Sequence, residues 1–174
     1  EFRRVLFRSG EPLSQLGQTK LPGLIEKSNT KEAMATLKSI LMLSLFAAVG
    51  VGAAAYVTSV VGPQLFSSDL AVQAVAKGAA PMLFLAVSIT IMGIAVDGAM
   101  MASRDFGFML ATGIVSFFVQ AKLLEYCSSV QAIIATFAIR LGFYTLSSVI
   151  RAFATTMGIR KTESHNKQNE LSKK

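Results

Sequence analysis

Two ionisable side chains fall inside long uncharged stretches of this sequence, and they are the residues best placed to do chemistry. Asp97 ends the run GAAPMLFLAVSITIMGIAVD, which carries no other formal charge after Lys77. A carboxylate among apolar residues in a membrane-length helix is expected to face a cavity or a partner, where it can accept a proton or a cation. Two plainer roles are open to it: hydration near the membrane surface, or pairing with Arg104 two turns later. Arg140, in VQAIIATFAIRLGFYTLSSV, either lines a path for an anion or marks a helix that begins later than its apolar run. Depth argues against a direct Asp97–Arg140 pair, because Asp97 is near one end of its run and Arg140 lies toward the opposite side. Arg104 and Asp105 make a compact charged turn, with Asp105 able to cap the following helix. Pro81 removes a backbone donor and is expected to bend its helix, although proline is also routine near a helix start. His165 and Cys127 are isolated, and no metal-ligand spacing, nucleophile with a base or glycine-rich phosphate loop occurs. The chain is therefore not expected to be an enzyme or to carry a cofactor or metal.

The elements that must hold these residues follow from length and charge. Of 174 residues, 52% are hydrophobic and only 16% charged, below the roughly 25% charged of ordinary soluble domains. Residues from Ser39 to Ser68 contain no charge at all, and a helix needs about 20 apolar residues to cross a bilayer. Four such spans are expected, at about 39–62, 78–102, 106–124 and 130–153, within a membrane region of 33–157. The fold class is all-α integral membrane. The small residues of AVGVGAAA, Ala48–Ala55, let a neighbouring helix approach closely. Gly62 and Pro63 close the first span, Ser67 or Ser68 can cap the second, and Gln120 and Lys122 can reach the interface from the third.

Outside the spans the sequence is polar. Residues 1–9, EFRRVLFRS, match the translation of a common short-read sequencing adapter and are set aside from fold reasoning; without them the formal charge falls from +7 to +5. Residues 10–32, with Pro12, Pro22 and three glycines, read as a cytoplasmic or stromal loop with at most a short amphipathic turn. Ser28, Asn29 or Thr30 can cap the helix that follows, with Glu32 at the capping-box position. Residues 158–174 read as a polar, basic, solvated tail.

The basic residues give the orientation. Four spans place both ends of the chain on one side, and that side then receives eleven Lys and Arg residues, among them Lys20, Lys38, Arg104 and Arg151, against Lys77 and Lys122 on the other. The richer side is expected to be cytoplasmic, or stromal in a plastid membrane. The same distribution speaks against nucleic acid as a partner, since the basic residues lie between and after apolar blocks.

The segment FSSDLAVQAVAKGAAPMLFLAVSITIMGIAVDGAMMASRDFGFM resembles the ninth-to-eleventh helix region of the multidrug and toxic compound extrusion (MATE) transporters. There a short turn with an acid precedes a proline-containing helix ending in a G-x-x-x-A/R-G-x-D motif. GAMMASRDF, Gly98–Phe106, most resembles the plant and algal plastid branch, with Asp97 where that branch has Glu, Pro81 at its proline and Arg151 at the arginine of its last helix. Ser103 stands in place of the usual glycine. The resemblance covers roughly residues 33–160 and implies the last four helices of a twelve-helix, two-lobed antiporter that exports small organic, possibly anionic, compounds in exchange for protons or sodium. On that reading Asp97 and Arg140 are the coupling or cavity candidates, and the partners are the lipid bilayer, a small organic solute and preceding helices of the same chain. The membrane would be a plastid envelope, or else the plasma or vacuolar membrane. Two other readings share the span pattern: a flippase of lipid-linked substrates, and a free-standing four-helix protein with a structural role.

Overall fold

In a computed structural model, the backbone of residues 2–27 and 29–171 and the side chains of residues 11–27 and 29–158 are described. The described residues form five helices in the order α1 (Phe2–Glu26), α2 (Thr30–Phe66), α3 (Leu70–Ala102), α4 (Phe106–Leu124) and α5 (Val130–Leu171), with no strand among them. Helices α2, α3 and α4, together with the Val130–Gly158 part of α5, are long and apolar enough to cross a membrane. In hydrocarbon a helix satisfies its own backbone groups internally, so a chain of this composition has little alternative.

The connections are short and capped. Asn29 opens α2, its side chain accepting from the Glu32 amide at 3.4 Å. Helix α2 does not stop at Gly62 and Pro63 but runs through them to Phe66, where the Ser67 amide bonds back to the Pro63 carbonyl at 3.0 Å. The cap of α3 is Asp69, accepting from the Ala71 amide at 2.8 Å, rather than Ser67 or Ser68; Ser67 Oγ instead accepts from the Asp69 amide. A carboxylate is the better acceptor for the orphan donors at a helix start.

Helix α3 is the hub, packing against α1, α2 and α5, while α4 touches the bundle chiefly through α5. Small residues set these approaches. Gly52 of α2 lies under Ser88 and Phe84 of α3, and Ser88 Oγ donates to the Ala48 carbonyl at 3.0 Å. Gly50, on the same small-residue stretch, faces open space.

Residues 10–26 are helical, not a loop. Pro12 and Pro22 both sit inside α1, and what holds the helix is tertiary. Leu13 and Leu21 share one buried cluster with Ala33, Leu37 and Ile40 of α2 and Ala95, Val96, Ala99 and Met100 of α3. Gly17 and Ser14 meet Gly98 backbone to backbone. Burying such side chains stabilises by about 1.5–3 kcal/mol each, enough to offset a proline's local penalty of about 3 kcal/mol. Of the segment read as adapter-derived, residue 1 lies outside the described residues, and Phe2 onward is described only as helical backbone. The region expected to be a solvated tail likewise continues α5 as helix to Leu171.

The outward faces of the four apolar helices are greasy. Phe46, Leu110, Phe118, Leu146 and Ile150 are all more than 60% exposed. Surface of that kind, continuous over several helices, calls for lipid or further protein rather than water.

Candidate functional site

The polar centre of the bundle lies where α3 faces α5. Asp97 Oδ1 accepts a hydrogen bond of 2.8 Å from the Tyr144 hydroxyl. Tyr144 opens a ladder on α5: Thr145 packs its hydroxyl against Gly93, one turn before Asp97, and Ser148 follows one turn after Tyr144. Among the described residues Thr145 Oγ1 is buried without a hydrogen-bond partner, whereas the buried Ser148 hydroxyl lies within reach of the Tyr144 phenol. Buried polar groups are nearly always paired, and Thr145 is the exception on this seam. Gly93 is what lets Thr145 pack so closely: a Cβ there would come within 2.9 Å of Thr145 Oγ1. A phenol donating to a carboxylate fixes the carboxylate's direction while leaving its second oxygen available.

Asp97 therefore has a partner, but not the one expected from the plain reading. No ion pair joins Asp97 to Arg104 among the described residues. Arg104 instead takes a left-handed backbone, φ 56°, at the end of α3. Its amide bonds to the Met101 carbonyl and that of Asp105 to the Met100 carbonyl, the paired closure in which glycine is the usual residue. Asp105 stands at the N-cap position of α4 but makes no side-chain cap. It accepts from Arg151 Nε at 2.6 Å, and the Arg151 guanidinium also lies over the Phe108 ring, 5.4 Å from its centre. The charged turn is thus an anchor for α5.

Arg140 is separate from Asp97. Helix α5 starts at Val130, ahead of it, so Arg140 does not mark a late helix start. Its Nη1 donates to Gln120 Oε1 of α4 at 2.8 Å, and its guanidinium lies 5.9 Å from the centre of the Phe117 ring. Gln120 is only 4% exposed; it serves Arg140 instead of reaching the interface. Lys122 does face outward and pairs with Glu125 at 2.9 Å.

Pro81 sits within an unbroken α3. It follows Gly78, which lies against the Gln131 side chain of α5. Tyr144, Thr145 and Ser148 were not singled out by sequence reasoning. The available signal was the run FYTLSS, whose hydroxyls at 144, 145 and 148 share one helical face. Among the described residues no group of three His, Cys, Asp or Glu could hold a metal ion.

The described residues form an all-helical bundle in which four helices are long and apolar enough to cross a membrane, the make-up of a polytopic helical membrane protein. Beyond that class, comparison with known proteins gives no relative: no protein family, curated protein or solved structure matches the chain.

Proposed function

We propose that the chain contributes the last four helices of a secondary antiporter of the MATE type, which exports small organic compounds in exchange for protons or sodium. The observation that carries this reading is the Asp97–Tyr144 contact at 2.8 Å, set between two membrane-length helices. Intramembrane carboxylates are expensive to keep and are retained where they bind or relay ions. The resemblance of residues 33–160 to the family's C-terminal helices supports the same reading, as does the bias of Lys and Arg to the side of Arg104.

In mechanism, Asp97 takes up the coupling ion and Tyr144 holds the carboxylate toward the α3–α5 seam. Loading the carboxylate removes its charge from the apolar surroundings, which eases movement of the helix past its neighbours. The test is efflux of a fluorescent organic cation and of a fluorescent organic anion from vesicles containing the full-length gene product, under imposed proton and sodium gradients. Asp97→Asn is expected to abolish the gradient dependence, and Tyr144→Phe to slow efflux by roughly tenfold, as loss of one charge-assisted hydrogen bond would. Gradient-driven efflux that survives Asp97→Asn unchanged refutes the role given to Asp97.

A further inference from the structure

Lys31 and Lys38 stand two turns apart on one face of α2, with Met34 between them. Together with Phe153, Thr156 and Met157 of α5 they line a cleft of about 580 Å³. Helices α2 and α5 each pack on α3 far more than on one another, and the cleft is the space this leaves. No carboxylate is among the residues that line it. Glu32 of α2 stands about 100° round the helix from Lys31 and about 120° from Lys38, at 3.6 residues per turn. Among the described residues the ion pairs are Asp105 with Arg151 and Glu125 with Lys122, and neither involves these lysines. Thr156 spends its proton on the Ala152 carbonyl at 2.8 Å. The cleft therefore meets a guest with two ammonium groups over the apolar side chains of Met34, Phe153 and Met157.

Its place along the helices says what that guest is. Lys38 is the last charge before the uncharged run from Ser39 to Ser68, so it marks the edge of the hydrocarbon. Lys31 lies about 10 Å further out along α2 at 1.5 Å per residue. On the other wall, Arg151 precedes Phe153 by two residues and is tied to Asp105 in the α3–α4 turn, so α5 has reached the same face there. The headgroup layer of a bilayer is about 5–8 Å deep on each side, and the two lysines span it. The anion that a bilayer presents at this depth is a lipid phosphate, with apolar chain directly beneath. Basic pockets between membrane helices are a recurring seat for anionic head groups.

We infer that the α2–α5 cleft is a binding site for an anionic phospholipid of the leaflet on the Arg104 side, its phosphate held between Lys31 and Lys38 and the start of its chains against Met34, Phe153 and Met157. The site requires only that α2 and α5 cross a bilayer, and it stands whether or not the protein transports. Both cations line the cleft itself, and a helix fixes their spacing.

The test is native mass spectrometry of the detergent-solubilised full chain, titrated with palmitoyl-oleoyl phosphatidylglycerol, with the phosphatidylcholine of the same chains and with glycerol 3-phosphate. Wild type is expected to bind a first phosphatidylglycerol roughly 25-fold more tightly than phosphatidylcholine, about fivefold for each lysine. Lys31→Gln combined with Lys38→Gln should erase that preference. Lys20→Gln combined with Lys27→Gln removes the same charge from α1, outside the cleft, and should leave the preference standing. All four lysines are exposed, so neither double variant disturbs a packed side chain. Equal loss in the two double variants overturns the proposal, because diffuse basic charge would then be what holds the lipid. So does equal affinity of wild type for the two lipids. Glycerol 3-phosphate displacing phosphatidylglycerol at equal concentration also overturns it, since the guest would then be a soluble phosphate.

Discussion

Gly98 of α3 and Ser14 of α1 are in backbone contact: a Cβ added to Gly98 would sit 2.6 Å from Ser14 Cα. Neither atom belongs to a flexible side chain, so the two helices can accommodate a methyl only by separating. Gly98→Ala is therefore expected to destabilise by about 1–3 kcal/mol, as overpacking does, and to expose α1 to protease. Gly50→Ala is the control. Nothing lies within 4 Å of that position, and replacing a helical glycine there should stabilise slightly, by up to about 1 kcal/mol. Thermal unfolding in detergent reads both, and equal midpoints for the two variants would refute the α1–α3 contact.

Arg104 occupies a glycine's conformation. At φ 56° its Cβ crowds the backbone, a strain of about 1–2 kcal/mol in L-residues, and no hydrogen bond or ion pair of its side chain appears among the described contacts that would offset it. Arg104→Gly is expected to raise the unfolding midpoint. Arg104→Val, branched at Cβ, should lower it. A midpoint that falls with glycine would show that the arginine side chain holds the turn.

Asp105 and Arg151 form the one ion pair in the described residues that joins different helices of the bundle. Arg151 is nearly half exposed, so solvent screens the pair and its contribution should be near 1 kcal/mol or below. Asp105→Asn and Arg151→Gln should each lower stability by a similar small amount, and the double variant by little more than either alone. Strict additivity in that double-mutant cycle would mean that the two side chains do not interact in the membrane.

Cys127 provides a marker of sidedness. It lies in the α4–α5 connection and is partly exposed, whereas Ser103 lies in the α3–α4 turn. One crossing of α4 puts them on opposite faces. In sealed vesicles a membrane-impermeant maleimide should reach Cys127 from the outer face only, and Ser103→Cys in a Cys127→Ser background from the inner face only. Labelling of both from the same side would dismiss the four-crossing arrangement.

How much of this was legible beforehand differs by element. The four apolar helices could be read because an uncharged run of twenty or more residues has few other fates, and Gly52 beneath Ser88 is the close approach that AVGVGAAA invites. Helix α1 was hidden because Pro12, Pro22 and the glycines speak for a loop in isolation. Only the partners on α2 and α3 give the Leu13 and Leu21 positions something to bury against. At the site, Asp97 and Arg140 stood out as charges in apolar company. Tyr144 did not, because a tyrosine in a membrane helix is unremarked until the facing helix is known, and Gln120 was read as reaching for the interface because its partner Arg140 lies on another helix. Asp105 looked like a cap since it precedes a helix, and it was drawn away by Arg151, a residue 46 positions on.

Both polar fastenings of α4 are made to the same neighbour. Gln120 near its end is tied to Arg140, and Asp105 at its start to Arg151, eleven residues further along α5. The two contacts lie at opposite ends of α4, so each end of that helix is held to α5 rather than to α3. A parting of α3 from that pair of helices would break the Asp97–Tyr144 contact first among the polar ties described.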